Sequence, residues 1–180
     1  MTDGERLRRA RVWIVLFMVG LVVAGLTAFP LVTESGWLVW WATDPGSPLA
    51  GVARRMPSAV AWIQHVHTGL QATSHSYPFL AYGTDWLAFA HLTIAVAFVG
   101  PLRDPVRNIW VIDFGLIACA GIIPLALVCG PLRGLPLWWL PIDMSFGVLG
   151  AIPLALARRQ IRSVERGPGT RTDRALTAQA

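Results

Sequence analysis

Residues 109–130 read IWVIDFGLIACAGIIPLALVCG, and the one charged side chain among them is Asp113. An apolar run of this length matches the roughly 20 residues that a helix needs to cross the hydrocarbon core of a bilayer. A soluble amphipathic helix would show a polar residue at every turn of its outer face, and this stretch does not. Three further windows, 12–32, 86–101 and 135–157, hold among them a single charged residue, Asp143. The expected fold is therefore all-α: an integral membrane four-helix bundle with spans at about 11–32, 83–101, 109–130 and 137–157.

Composition supports that reading. Of the 180 residues, 54% are hydrophobic and 14% charged, whereas soluble domains average about 25% charged. The formal net charge of +5 does not point to nucleic acid. All 15 basic residues are Arg, and most flank apolar segments instead of forming a stripe with interleaved aromatics. The all-Arg, Ala-rich composition is what a GC-rich bacterial genome encodes, so the expected location is a bacterial cytoplasmic (inner) membrane. The lipid bilayer is the expected partner, with a second membrane protein or a homo-oligomer as further partners and no nucleic acid.

The charged ends set an orientation. Arg6, Arg8, Arg9 and Arg11 precede the first apolar run, which is longer than the hydrophobic region of a secretory signal and is followed by a poor cleavage sequence. A retained first helix is expected, with residues 1–10 as a cytoplasmic N-terminus. With both termini inside, twelve Arg (those four, Arg103, Arg107 and the six from Arg158 to Arg174) face the cytoplasm. Three, Arg54, Arg55 and Arg133, face out. Basic residues are retained on the cytoplasmic side, so this orientation is expected. Residues 163–180 are polar and aperiodic, and read as a disordered cytoplasmic tail.

The long connection 33–82 reads as a partly helical outer insertion. Its opening, Trp37-Leu38-Val39-Trp40-Trp41, is too short to span, and indole rings favour the headgroup level. Thr43-Asp44-Pro45-Gly46-Ser47-Pro48 is turn chemistry. From Pro57 to about Ala72, Val60, Ile63, Val66, His67 and Leu70 recur at helical spacing, with Gln64, His65, Thr68 and Gln71 opposite. Either Ser58 caps this helix or Pro57 is its first residue.

Ionisable groups inside spans are costly, so they usually face protein or water and have partners. Near the outer ends of their helices lie Asp85 and Asp143, with His91 deeper and Arg133 in the turn before the fourth span. Tyr82, Thr84 and Ser145 are potential hydrogen-bonding neighbours. This outer group either fixes helix packing or forms a ligand or proton site. An inner group comprises Arg103, Asp104, Arg107, Asn108 and Asp113. Here a capped turn is expected, with Asp113 paired to Arg107 or Arg103 reaching along the membrane surface. Gly115, Gly121, Gly147 and Gly150 would allow close helix contact.

Other chemistry finds little support. Only His91 lies within a span, which argues against a bundle haem, and His65 and His67 diverge on a helix, which argues against a metal. Cys119 and Cys129 are about 15 Å apart along a helix axis, too far for a disulfide. No hydrolase, zinc or nucleotide motif occurs. No cofactor and no catalytic residue are expected.

The stretches Tyr77-Pro78-Phe79-Leu80-Ala81-Tyr82-Gly83-Thr84-Asp85-Trp86, Asp104-Pro105-Val106-Arg107-Asn108 and Ile142-Asp143-Met144-Ser145-Phe146-Gly147 resemble a group of bacterial four-helix integral membrane proteins without known activity. The resemblance covers the last three spans and implies no function. The expectation is thus a non-enzymatic membrane component or partner-binding assembly subunit. The alternative is a small transporter or proton-coupled channel that uses the outer Asp/His/Arg group.

Overall fold

The chain starts its first helix earlier than its charge pattern suggests. In the computed structural model, which describes residues 2–166, α1 runs Asp3–Thr27. Thr2 and Glu5 form a capping box. The Glu5 N–H donates to Thr2 Oγ1 at 3.3 Å, and the Thr2 N–H donates to Glu5 Oε2 at 2.9 Å, which satisfies two donors at the helix start. The helix stops at Thr27, short of the expected Val32. Pro30 has no N–H, and its ring would collide with the carbonyl one turn back.

The insertion is more helical than expected. It holds α2 (Leu31–Thr43), α3 (Ala50–Ala53), α4 (Pro57–Ser76) and a 3₁₀ turn at Pro78–Ala81. Pro57 takes the first turn of α4. The turn after α2 is closed by its own side chains. Asp44 Oδ1 accepts the Gly46 N–H at 2.7 Å, while buried Ser47 donates to Trp41 O at 2.6 Å and accepts the Leu49 N–H at 3.0 Å.

Next come α5 (Tyr82–Ala97), α6 (Val99–Arg103), α7 (Ile109–Leu132) and α8 (Leu140–Glu165). The second expected span is thus interrupted at Phe98. Pro101 cannot donate to the Ala97 carbonyl, and the Phe98 N–H is shared between Ile94 O and Ala95 O, both at 3.2 Å. α8 begins at Leu140, later than the expected 137, with Pro141 tolerated in its first turn. It continues through Arg158 and Arg162, so residues 163–165 of the expected tail are helical, while 167–180 lie outside the described residues.

Among the described residues there is no strand, and the chain is all-α. Four segments, Asp3–Thr27, Pro78–Arg103, Ile109–Leu132 and Leu140–Glu165, are 24 to 26 residues long and apolar enough to cross a membrane. At 1.5 Å per residue each reaches about 36–39 Å, more than the roughly 30 Å hydrocarbon core. Their outward side chains are apolar too: Ile117 is 72% exposed and Leu132 78%. That surface suits lipid and not water. By length and composition this is a multi-pass membrane protein.

The chain divides into two units. The first joins Met1–Leu21 to the chain from Ile94 on. Its core contains Ala10, Ile14, Phe98, Ile112, Cys119, Leu154, Ala157 and Ile161, with Phe17 stacked obliquely on Phe98 at 4.8 Å. α7 and α8 form an antiparallel hairpin. Buried Leu140, Gly147, Leu154 and Ile161 on α8 fall seven apart, as do buried Ile112, Cys119 and Ala126 on α7. That is the spacing of helices in near-parallel contact along a single seam. Gly130 faces Leu140, Gly147 faces the Cys119 carbonyl and Gly115 faces Leu154. Gly121, expected among these close contacts, has nothing near its missing Cβ; it sits on the exposed face. Gly134, at φ 74°, closes the hairpin. Its N–H donates to Pro131 O and that of Leu135 to Gly130 O, the bond pair of a Schellman cap.

The second unit is Val22–Thr93. Within it the end of α1 meets α5 where Gly25 lies against the carbonyl of fully buried Ala88 and the Cβ of His91. α2 packs on α4, whose Val60, Ile63, His67 and Leu70 are half-buried while Gln64, His65, Thr68 and Gln71 are exposed.

Candidate functional site

Asp113 is the charge that the spans hold most firmly, and its partner is not the expected one. It sits one turn into α7, and the hairpin register carries it to the far end of α8. There Arg158 Nε donates to Asp113 Oδ1 at 2.5 Å, and Arg162 Nη2 stands 3.9 Å from Oδ2. Arg162 also reaches Glu165 at 3.2 Å. Arg103 and Arg107 are exposed and make no ion pair among the described residues. The expected Arg107 or Arg103 pairing is thereby corrected: those residues lie on the α6–α7 turn, whereas Asp113 faces α8.

The remainder of the inner group is a knitted turn. Asp104 Oδ1 accepts the Arg107 N–H at 3.1 Å. The Asn108 amide donates to Gly100 O at 3.2 Å and to Asp104 O at 3.0 Å, a second bond to carbonyls that already accept the backbone N–H groups of Asp104 and Asn108. Asp104 therefore caps a turn and not a helix, because the chain from Pro105 to Asn108 does not become helical before α7.

The outer group falls in both units. Tyr82, Thr84, Asp85 and His91 belong to the second, and Arg133, Asp143 and Ser145 to the first. Within the second unit, Thr84 donates to Ala81 O at 2.7 Å, and His91 Nδ1 lies 2.8 Å from Leu87 O, which assigns its proton to Nδ1. Tyr82 is exposed, edge-on to Trp86 at 6.0 Å, and half-buried Asp85 has no side-chain partner in that unit. Within the first unit, Ser145 donates to Ile142 O at 2.6 Å. Arg133, at the end of α7, makes no ion pair there with Asp143, in the first turn of α8. The Thr84 and Ser145 hydroxyls and His91 Nδ1 are thus spent on backbone carbonyls three or four residues back. Such bonds satisfy a donor in lipid without a partner helix.

Two polar features were not expected from the sequence. Arg11 Nε donates to Leu102 O at 3.1 Å and its Nη2 to Arg103 O at 3.4 Å, while Arg6 Nη1 donates to Ser163 O at 3.3 Å. Arginines of α1 thus cap the carbonyl ends of α6 and α8, where a cation also meets the negative end of the helix dipole. Only their positions before an apolar run were legible, and those suggest topology alone. The second feature is Ser35, 7% exposed, whose Oγ lies 2.9 Å from both Val32 O and His67 Nδ1. With one hydroxyl proton, the arrangement that satisfies all three atoms has His67 Nδ1–H donating to Ser35 and Ser35 donating to Val32 O. That geometry pins α2 to α4 and does not activate the serine. The pair is thirty-two positions apart in the chain, so no local motif could reveal it.

Comparison with protein-family models, with curated proteins and with solved structures finds no match. The fold and the disposition of its polar groups define a multi-pass, all-helical membrane protein.

Proposed function

We propose that this chain is a non-enzymatic component of the bacterial cytoplasmic membrane that assembles with a protein partner, with both termini cytoplasmic. The observation that carries the reading is how the intramembrane polar groups are used. Asp113 is neutralised by Arg158, and Thr84, His91 and Ser145 bond to carbonyls three or four residues back in the chain. Each is explained by folding in lipid, and among the described residues these groups do not converge on a shared site within either unit. The twelve-to-three distribution of Arg supports the orientation. Exposed Trp37, Leu38 and Trp40 on α2 supply an apolar, aromatic surface for a partner. Kinship with the bacterial four-helix membrane proteins belongs to the same proposal.

The test is co-purification of the full chain in mild detergent, with mass spectrometry of what accompanies it. A stoichiometric protein partner is expected. A stoichiometric small molecule without any protein, released by Asp85→Asn or Asp143→Asn, would replace this reading with the transport one.

A further inference from the structure

We infer that the Arg-lined groove at the end of α8 binds the phosphate of an anionic phospholipid, a site that rests on the membrane reading above. The groove has a volume of about 600 Å³ and is lined by Leu116 of α7 and by Ala155, Arg158, Arg159, Arg162, Ser163 and Arg166 of α8. The α8 residues fall at helical spacing of three and four, so they share one face. Four guanidinium groups therefore stand on three successive turns, an arrangement that is unfavourable without counter-charge.

Among the described residues the groove's counter-charge falls short of its four Arg. Asp113 is held by Arg158 and approached by Arg162, and Glu165 is paired with Arg162. Arg159 and Arg166 are exposed and have no ion pair among the described residues. Arg6 adds a fifth cation at the Ser163 edge, and its Nε is buried with no hydrogen-bond partner among the described residues. A phosphate diester offers acceptor oxygens that match guanidinium forks.

Lipid is favoured over a free anion by the apolar part of the lining. Leu116 and Ala155 lie beside the rim of Arg, and Ile123 of α7 and Val148 and Ile152 of α8, exposed and at helical spacing from them, continue an apolar surface away from the Arg end. An acyl chain lies along that surface while the headgroup meets the guanidinium groups. The division of charge and apolar surface is that of a phospholipid at the membrane boundary.

The experiment uses the full chain purified in detergent, with lipid binding followed by native mass spectrometry. Phosphatidylglycerol is expected to bind about ten-fold or more tightly than phosphatidylcholine, whose phosphate is equally anionic but whose choline cation is repelled by the Arg cluster. Arg159→Gln with Arg166→Gln is expected to abolish the preference. Arg8→Gln with Arg9→Gln removes the same charge from exposed positions of α1, outside the groove, and is expected to keep it. Equal affinity for the two lipids, equal loss in both double variants, or full displacement by inorganic phosphate would overturn the site. Should the α8 variant not fold, the wild-type chain decides: its phosphatidylglycerol preference must fall as NaCl is raised, and a salt-independent preference overturns the inference. A chain found outside the membrane fraction defeats the membrane reading itself; an embedded chain without lipid preference defeats this inference alone.

Discussion

Gly147 carries the closest backbone contact in the molecule's first unit. A Cβ there would lie 2.5 Å from the Cys119 carbonyl oxygen and 3.2 Å from the Ile122 Cβ. Backbone cannot step aside as a side-chain tip can, so Gly147→Ala must push α7 and α8 apart. A loss of about 1–3 kcal/mol is expected, as for other overpacked cores, read as a lower unfolding midpoint in detergent. Gly121→Ala is the control. It meets nothing and is expected to be neutral or to gain up to about 1 kcal/mol from helix propensity. Similar losses in both would show that the seam is not as tight as described. Asp113 behaves differently. Its side chain is 34% exposed and that of Arg158 44%, and the pair lies at the ends of its helices, where water and headgroups screen it. Asp113→Asn is expected to cost no more than about 1 kcal/mol.

At the scale of elements, the short helices are held by bonds across the chain. Arg11 caps α6, and Arg11→Ala is expected to cost about 1 kcal/mol. Arg11→Lys should recover only part of this, since an ammonium cannot span two carbonyls with a planar fork; full recovery by Lys would leave charge alone as the cause. Ser35 and His67 tie α2 to α4. A double-mutant cycle of Ser35→Ala and His67→Ala in thermal unfolding is expected to give a coupling of about 0.5–1.5 kcal/mol, and additive losses would dismiss the bond. The helix limits follow from proline and capping chemistry that is visible in the chain. Thr2-Asp3-Gly4-Glu5 is a capping box, Pro30 ends α1 and Pro101 breaks the second span at Phe98. The Asp113 partner was not visible, because nearness in sequence favoured Arg107 over Arg158, forty-five residues away.

For the whole molecule, orientation is the property most open to direct measurement. With both termini inside, a cysteine placed at Ser74 in the insertion is expected to react with a membrane-impermeant maleimide in intact cells. A cysteine at Asp3 should react only after permeabilisation. Cys119 and Cys129 would first be replaced by Ala, and the reverse pattern would invert the topology. Composition, charge placement and the length of apolar runs determined by themselves that the chain is helical and multi-pass, because crossing lipid demands about 20 apolar residues whose backbone bonds close within one segment. They also determined which residues had to find polar partners. Only the tertiary structure decided who those partners are: the α7–α8 register delivered Asp113 to Arg158, and the placement of α1 brought Arg6 and Arg11 to carbonyls of α8 and α6. Packing of small residues sets that register in three dimensions, and a linear reading of hydropathy contains no measure of which faces will meet.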